Sequence, residues 1–154
     1  MMPYNENTTT SIFQHEYEQA SNSYLMCVAA IIAGLPLPII NLFASVGFYL
    51  AHRKSTFFVR WHCIQAAIAQ AILTPFNSVA VGWTLGIWFG SYEVTLLYIA
   101  YLFFIVMLNI LEFAAVIYTA IKVRNGYNIR WFIIADITDS LCTRENRDVY
   151  KTHL

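Results

Sequence analysis

Three long stretches without a charged residue constrain this chain more than any other feature of its sequence. No Asp, Glu, Lys or Arg occurs in residues 19–51, 61–92 or 94–111. Each stretch reaches or nearly reaches the roughly 20 residues that an α-helix needs to cross the hydrocarbon core of a bilayer. The whole chain is only 12% charged, against roughly 25% in an ordinary soluble domain. The sequence therefore predicts an all-α integral membrane protein.

These stretches predict three transmembrane helices, of which the second and third are joined by the short segment GSYE and should form an antiparallel hairpin. Pro36 and Pro38 lie in the first span and Pro75 in the second. Proline lacks a backbone N–H, so we expect a kink or local unwinding at both places. The predicted organisation is a polar N-terminal tail at 1–23, a transmembrane bundle at 24–128 with spans at about 24–50, 57–89 and 94–121, an amphipathic helix at 129–142 and a polar C-terminal tail at 143–154.

Residues 129–142 are apolar for only about five residues and then carry Asp136 and Asp139. That is short for a membrane crossing. We expect an interfacial or re-entrant helix whose residues 131–134 dip into the lipid. A fourth transmembrane span is the alternative. The two aspartates lie three residues apart on one helix face, which is typical of a solvated face and less often of a carboxylate pair.

The basic residues fix the predicted orientation. With three spans, the side that carries the N-terminal tail and the turn after the second span has only acidic charges: Glu6, Glu16, Glu18 and Glu93. Positively charged residues concentrate on the cytoplasmic side of membrane proteins. The sequence thus predicts the N-terminus outside and the C-terminus in the cytoplasm. All nine basic residues then share the cytoplasmic side: Arg53, Lys54, Arg60, Lys122, Arg124, Arg130, Arg144, Arg147 and Lys151.

Counting by fours from His62 gives a row of eight residues along the second span. Each member after His62 is small, except for the amide Gln70. Rows of this spacing form ridges on a helix, and small residues let another helix approach closely. We expect one neighbouring helix at the cytoplasmic half of this ridge and another at its glycine-rich half. The helix-packing ridge comprises His62, Ala66, Gln70, Thr74, Ser78, Gly82, Gly86 and Gly90.

Glu112 is the ionisable residue placed deepest in the third span, with Asn109 three residues earlier on the same face. An ionisable group inside a membrane is by default a hypothesis of function. One interpretation is a proton or cation relay, with His62 or Asp136 nearer the cytoplasm. The other is an uncharged glutamic acid that hydrogen-bonds a neighbouring helix or a partner subunit. The absence of a second embedded charge favours the structural interpretation.

The sequence carries no pattern typical of an enzyme. No Ser-His-Asp arrangement, glycine-rich phosphate loop or HExxH motif occurs, and His62 has no second histidine at matching depth that would complete a haem site. We expect no catalytic residue, no metal and no cofactor. Two pairs in which an arginine precedes a tryptophan are interpreted as interfacial anchors on the basic side: Arg60 with Trp61, and Arg130 with Trp131.

Two segments carry a family resemblance. HRKSTFFVRWHCIQAAIAQAIL and AIKVRNGYNIRWFIIADITD resemble parts of the small helical membrane subunit of the chloroplast inner-envelope protein-import translocon (the Tic family) and of its bacterial relatives. The resemblance implies a helical subunit linked to protein translocation or membrane-protein biogenesis, in a bacterial inner membrane or alternatively a plastid membrane. It also implies four spans. The matching residues are Arg60, Trp61, His62, Gln65, Ala66, Lys122, Gly126 and Asp136.

The ridge, the missing catalytic patterns and the resemblance together predict a non-enzymatic accessory or structural subunit of a larger membrane complex. Its partners would be other integral membrane subunits, or further copies of itself, together with lipid and without nucleic acid. The alternative is a small oligomeric transporter or channel component that uses Glu112.

Overall fold

The computed structural model describes residues 12–32 and 38–149. These residues form five α-helices and no strand, which confirms the all-α prediction for the described part of the chain. The helices are α1 (Gln14–Ile32), α2 (Pro38–His52), α3 (Phe57–Trp88), α4 (Leu96–Arg124) and α5 (Ile134–Val149).

Two of the described helices, α3 and α4, are long and apolar enough to cross a membrane. At about 1.5 Å per residue, the 32 residues of α3 extend about 48 Å. Residues 39–52, nearly the whole of α2, form a shorter apolar helix. The prediction of three spans is not confirmed, whereas two apolar helices of this length favour association with a membrane.

Two helices replace the single first span predicted at 24–50. Pro38 opens α2 at its first position, where a helix does not use the missing N–H. The ring of Tyr17, near the start of α1, lies 5.2 Å from that of Phe58. Tyr49, near the end of α2, packs against the cluster of buried residues that includes Trp61 of α3. Both helix ends thus flank the first turns of α3, so the chain doubles back between α1 and α2; residues 33–37, with Pro36, lie outside the described residues.

The first helix begins inside the segment that was predicted to be a polar tail. Glu16 accepts a hydrogen bond from the backbone N–H of Phe13 (2.7 Å), which satisfies a free donor at the helix start. Ser21 is buried and its hydroxyl donates to the carbonyl of Ala120 on α4 (2.9 Å). A tail is therefore the wrong description of residues 14–23, while 1–11 lie outside the described part of the chain.

The core lies at one end of the bundle. The buried residues of α3 fall between Val59 and Gln70, apart from Ala80. Those of α4 lie mostly in its last turns, from Val116 to Val123. The α3–α4 hairpin therefore continues well beyond the part that α1, α2 and α5 enclose. Its outer half exposes large apolar side chains, among them Phe76, Val79, Leu85, Leu97, Phe103 and Ile110.

The C-terminal region differs from the predicted helix at 129–142. An irregular segment leads to α5, which begins at Ile134 and runs through the predicted polar tail as far as Val149. The helix packs against α3, and it is not among the helices apolar enough to span a membrane. Of the residues expected to dip into lipid, Phe132 is 92% exposed whereas Trp131 packs against the core of the bundle.

Candidate functional site

A buried polar network connects α1 with α3. The Tyr24 hydroxyl on α1 lies 2.9 Å from Nδ1 of His62 on α3. It also accepts a hydrogen bond from the side-chain amide of Gln65 (2.7 Å). All three side chains are fully shielded from solvent. The i, i+3 spacing of His62 and Gln65 puts both on the face of α3 that meets α1.

Gln65 extends this network to the segment before α5. Its Nε2 also donates to the carbonyl of Ile129 (3.2 Å), and its Oε1 accepts from the backbone N–H of Trp131 (3.1 Å). One side chain thereby satisfies a donor and an acceptor of an irregular backbone segment. Buried backbone groups outside regular structure need such partners, so Gln65 fixes how the chain leaves α4.

Trp131 brings α4 into the same cluster. Its indole N–H donates to Thr119 Oγ1 (2.8 Å), and its ring stacks on that of Tyr24, with centroids 6.4 Å apart. The network of Tyr24, His62, Gln65, Thr119 and Trp131 thus connects α1, α3, α4 and the segment before α5. Such a cluster selects one arrangement of four chain segments.

His62 is enclosed by aromatic rings. Its ring centroid lies 4.6 Å from that of Phe58 and 5.0 Å from that of Trp61. Within the described residues, no hydrogen-bond partner reaches its Nε2. No three His, Cys, Asp or Glu side chains of that part of the chain come together as metal ligands would. The described surroundings of His62 thus offer packing and one phenol contact.

The structure corrects the interpretation of three of the four interfacial anchors. Arg60 and Trp61 are each only 4% exposed, and Trp131 is partly buried with its indole N–H bonded to Thr119. An anchor that faces the membrane interface needs an accessible side chain. Arg130 alone remains half-exposed, and it pairs with Asp139 of α5.

Asp139 connects α5 to the beginning of α3. Its carboxylate accepts hydrogen bonds from the indole N–H of Trp61 (2.7 Å) and from the guanidinium of Arg130. The same guanidinium carbon lies 5.2 Å from the centre of the Trp61 ring. Asp136, three residues earlier, is exposed. The two aspartates therefore do not act as a pair, and of the two it is Asp139 that contacts α3.

A second set of polar contacts lies between α3 and α4. Gln70 donates to the carboxyl group of Glu112. Asn77 and Asn109 exchange amide hydrogen bonds of 3.1 and 2.7 Å. Asn109 donates in addition to the carbonyl of Ile105 in its own helix (2.7 Å). The predicted polar site of Asn109 and Glu112 is therefore engaged from the neighbouring helix at both positions.

The helix-packing ridge divides into parts with different surroundings. His62, Ala66 and Gln70 are buried against other helices, and Thr74 and Ser78 are partly buried. A methyl group added at Gly82 would meet nothing within 4 Å, whereas one at Gly86 would lie 2.2 Å from the ring of Tyr92. Gly90 lies beyond the end of α3 with a positive φ of 73°. The ridge thus ends in a turn, and Gly82 is the ridge glycine inside α3 whose added methyl group would meet open space.

Sequence reasoning missed Tyr24, Thr119 and Asn77 as parts of these clusters. A signal for Asn77 does exist, because the antiparallel hairpin places it beside Asn109, and two amides in apolar helices favour each other. Tyr24 and Thr119 lie in apolar surroundings and are distant in sequence from Gln65 and Trp131, so no local pattern distinguishes them.

Comparisons with protein-family models, with curated proteins and with solved structures find no match to this chain.

Proposed function

We propose that this chain is a non-enzymatic accessory or structural subunit of a larger membrane protein complex. The observation that carries this proposal is the pairing of Gln70 with Glu112 and of Asn77 with Asn109. Polar groups that line a transport route must be available to the transported ion. Here they bond to each other across the α3–α4 hairpin, as groups that hold two helices together do.

The apolar surface of the hairpin supports a partner within the membrane. Only 11% of the most apolar 18-residue segment of α4 is buried inside the protein. Lipid can cover such a surface, but the open position at Gly82 additionally lets a second helix approach closely. We assign the partner contact to the face of α3 around Gly82.

The proposed topology is that of a multi-pass protein with both described ends on the cytoplasmic side. Because α1 and α2 double back, the first turns of α1 lie beside the last turns of α4. This placement replaces the outside N-terminus expected from three spans. It keeps all nine basic residues on one side, as the positive-inside rule requires, and leaves Glu93 on the other. We place the protein in a bacterial inner membrane, with a plastid membrane as the alternative.

The resemblance to the translocon subunit supports a partner complex that acts in protein translocation or membrane-protein biogenesis. Two of the residues that carry this likeness, His62 and Gln65, belong to the buried network. In this proposal the family pattern describes how the bundle is held together.

A matched pair of substitutions tests the accessory-subunit proposal. Gly82→Leu and Gly47→Leu both add a side chain where nothing lies within 4 Å of the new Cβ. The chain itself should tolerate both. Purification from native membranes in mild detergent, followed by size-exclusion chromatography, should show a complex that Gly82→Leu disrupts and Gly47→Leu preserves. A chain that elutes alone in all three forms would contradict the proposal.

The second candidate is a small oligomeric transporter or channel component, favoured by the position of Glu112 inside an apolar helix. Glu112→Gln and Glu112→Ala separate the two functions. In a structural role, Gln still bonds to Gln70 and preserves assembly, whereas Ala removes the acceptor and weakens it. In a transport role, Glu112→Gln abolishes ion flux in proteoliposomes while assembly stays intact.

A further inference from the structure

An apolar cavity of about 660 Å³ opens between α2 and α3. Val46 and Tyr49 line it from α2, Ile64, Ala67 and Ala71 line it from α3, and Leu141 of α5 lines it as well. Its volume lies within the range of roughly 300–1,000 Å³ that is typical of ligand sites in proteins. No charged side chain is among the described residues that line it. The cavity therefore suits a hydrocarbon chain.

Basic residues follow one wall of this cavity at one end. Arg53 and Lys54 directly follow α2, about one turn beyond Tyr49, and both are exposed. On α5, the carboxylate of Asp139, two residues before the lining residue Leu141, is engaged by Arg130 and the Trp61 indole. The exposed charge that follows the α2 wall is therefore positive.

We propose that this cavity binds one phospholipid with an anionic headgroup. One acyl chain lies between α2 and α3, and the phosphate lies at the end where Arg53 and Lys54 are placed. The end that carries these two basic residues is the one proposed above to be cytoplasmic, so the headgroup would lie at the level of the anionic inner leaflet. The inference rests on the membrane topology proposed above.

Native mass spectrometry of the full chain, released from nanodiscs made of phosphatidylglycerol and phosphatidylcholine in equal parts, tests this site. We expect one retained lipid per chain, with phosphatidylglycerol preferred. Arg53→Gln should lower that preference roughly fivefold, as expected for the loss of one cation near an anionic headgroup. Equal retention of both lipids by the unmodified chain would overturn the proposal.

Steric variants locate the acyl chain. Ala67→Phe fills the cavity and should abolish retention, whereas Ala100→Phe, at an exposed position of α4 outside it, should leave retention unchanged. If Ala67→Phe does not fold, Ala71→Phe replaces it, because that position is exposed at the cavity rim. Unchanged retention in a folded cavity variant overturns the proposal. The proposal is also overturned if the unmodified chain forms a dimer without lipid and the cavity variant is a monomer, because a second copy of the chain would then occupy the cavity.

Alkaline carbonate extraction of cell membranes distinguishes failure of the lipid site from failure of the proposed function. A chain released by carbonate is not membrane-embedded, and the proposed function fails together with the lipid site. A chain that stays in the membrane pellet but retains no lipid refutes the lipid site alone.

Discussion

Replacing Gln65 with leucine should destabilise the fold more than the same exchange at Gln70, the other buried glutamine of α3. Leucine has a similar size and lacks polar atoms. The change removes hydrogen bonds to the Tyr24 hydroxyl, the Ile129 carbonyl and the Trp131 amide. Tyr24 keeps its contact with His62, whereas the two backbone groups lose the side chain that satisfies them.

The magnitude follows from the number of groups left without this partner. A buried polar group that loses its hydrogen bond costs about 1–3 kcal/mol. Two such backbone groups give a loss of about 3 kcal/mol in the free energy of unfolding, or a roughly 150-fold change in the unfolding equilibrium constant. That is a large share of the 5–15 kcal/mol by which native proteins are typically stable.

Gln70→Leu is the matched control. Gln70 is also buried on α3 (5% exposed) and donates one hydrogen bond, to Glu112. Chemical unfolding in detergent micelles, followed by far-UV circular dichroism, should show a loss of about 1 kcal/mol for Gln70→Leu. Equal losses for the two variants would refute the reasoning, because they would show that the connection to residues 129–131 contributes nothing to stability.

Two further pairs of substitutions test the hairpin turn and the position of α5. Gly86→Ala should lower the free energy of unfolding by about 1–2 kcal/mol, because its Cβ would lie 2.2 Å from the Tyr92 ring. Gly82→Ala should raise the free energy of unfolding by up to about 1 kcal/mol, because alanine has the higher helix propensity. Changes of the same sign for the two variants in chemical unfolding would contradict this. Asp139→Ala should speed limited proteolysis of α5 roughly fivefold, since a half-exposed ion pair and an indole hydrogen bond contribute about 1 kcal/mol. Asp136→Ala, at an exposed position, should leave the rate of proteolysis unchanged. Equal rates for the two variants would show that the Asp139 contacts do not hold α5 against α3.

The sequence predicted the α3–α4 hairpin far better than the region before it. The predicted bounds 57–89 and 94–121 lie close to those of α3 and α4, because an unbroken apolar run flanked by charges leaves a helix little freedom at its ends. The run at 19–51 is equally free of charge, yet it contains two helices. Lack of charge alone does not distinguish one long crossing from a shorter pair that doubles back.

The candidate site was harder to predict, for a physical reason. In the sequence, Gln65 stands out only through the family resemblance, because its partners lie about 40 and 65 residues away. Helix periodicity reports which residues share a face and not what that face meets. Trp131 shows the same limit, because an arginine beside a tryptophan suggests a membrane interface until the fold supplies Thr119 as the indole's partner.

The doubling back of α1 and α2 has a consequence for how the chain is inserted into a membrane. Since Tyr17 and Tyr49 lie at the same end of the bundle, a membrane can take up this hairpin without moving a hydrophilic segment across. In the proposed topology, the glutamates at the start of α1 therefore stay in the compartment in which the chain is made. Reporter domains fused before α1 and after α5 should therefore report the same compartment.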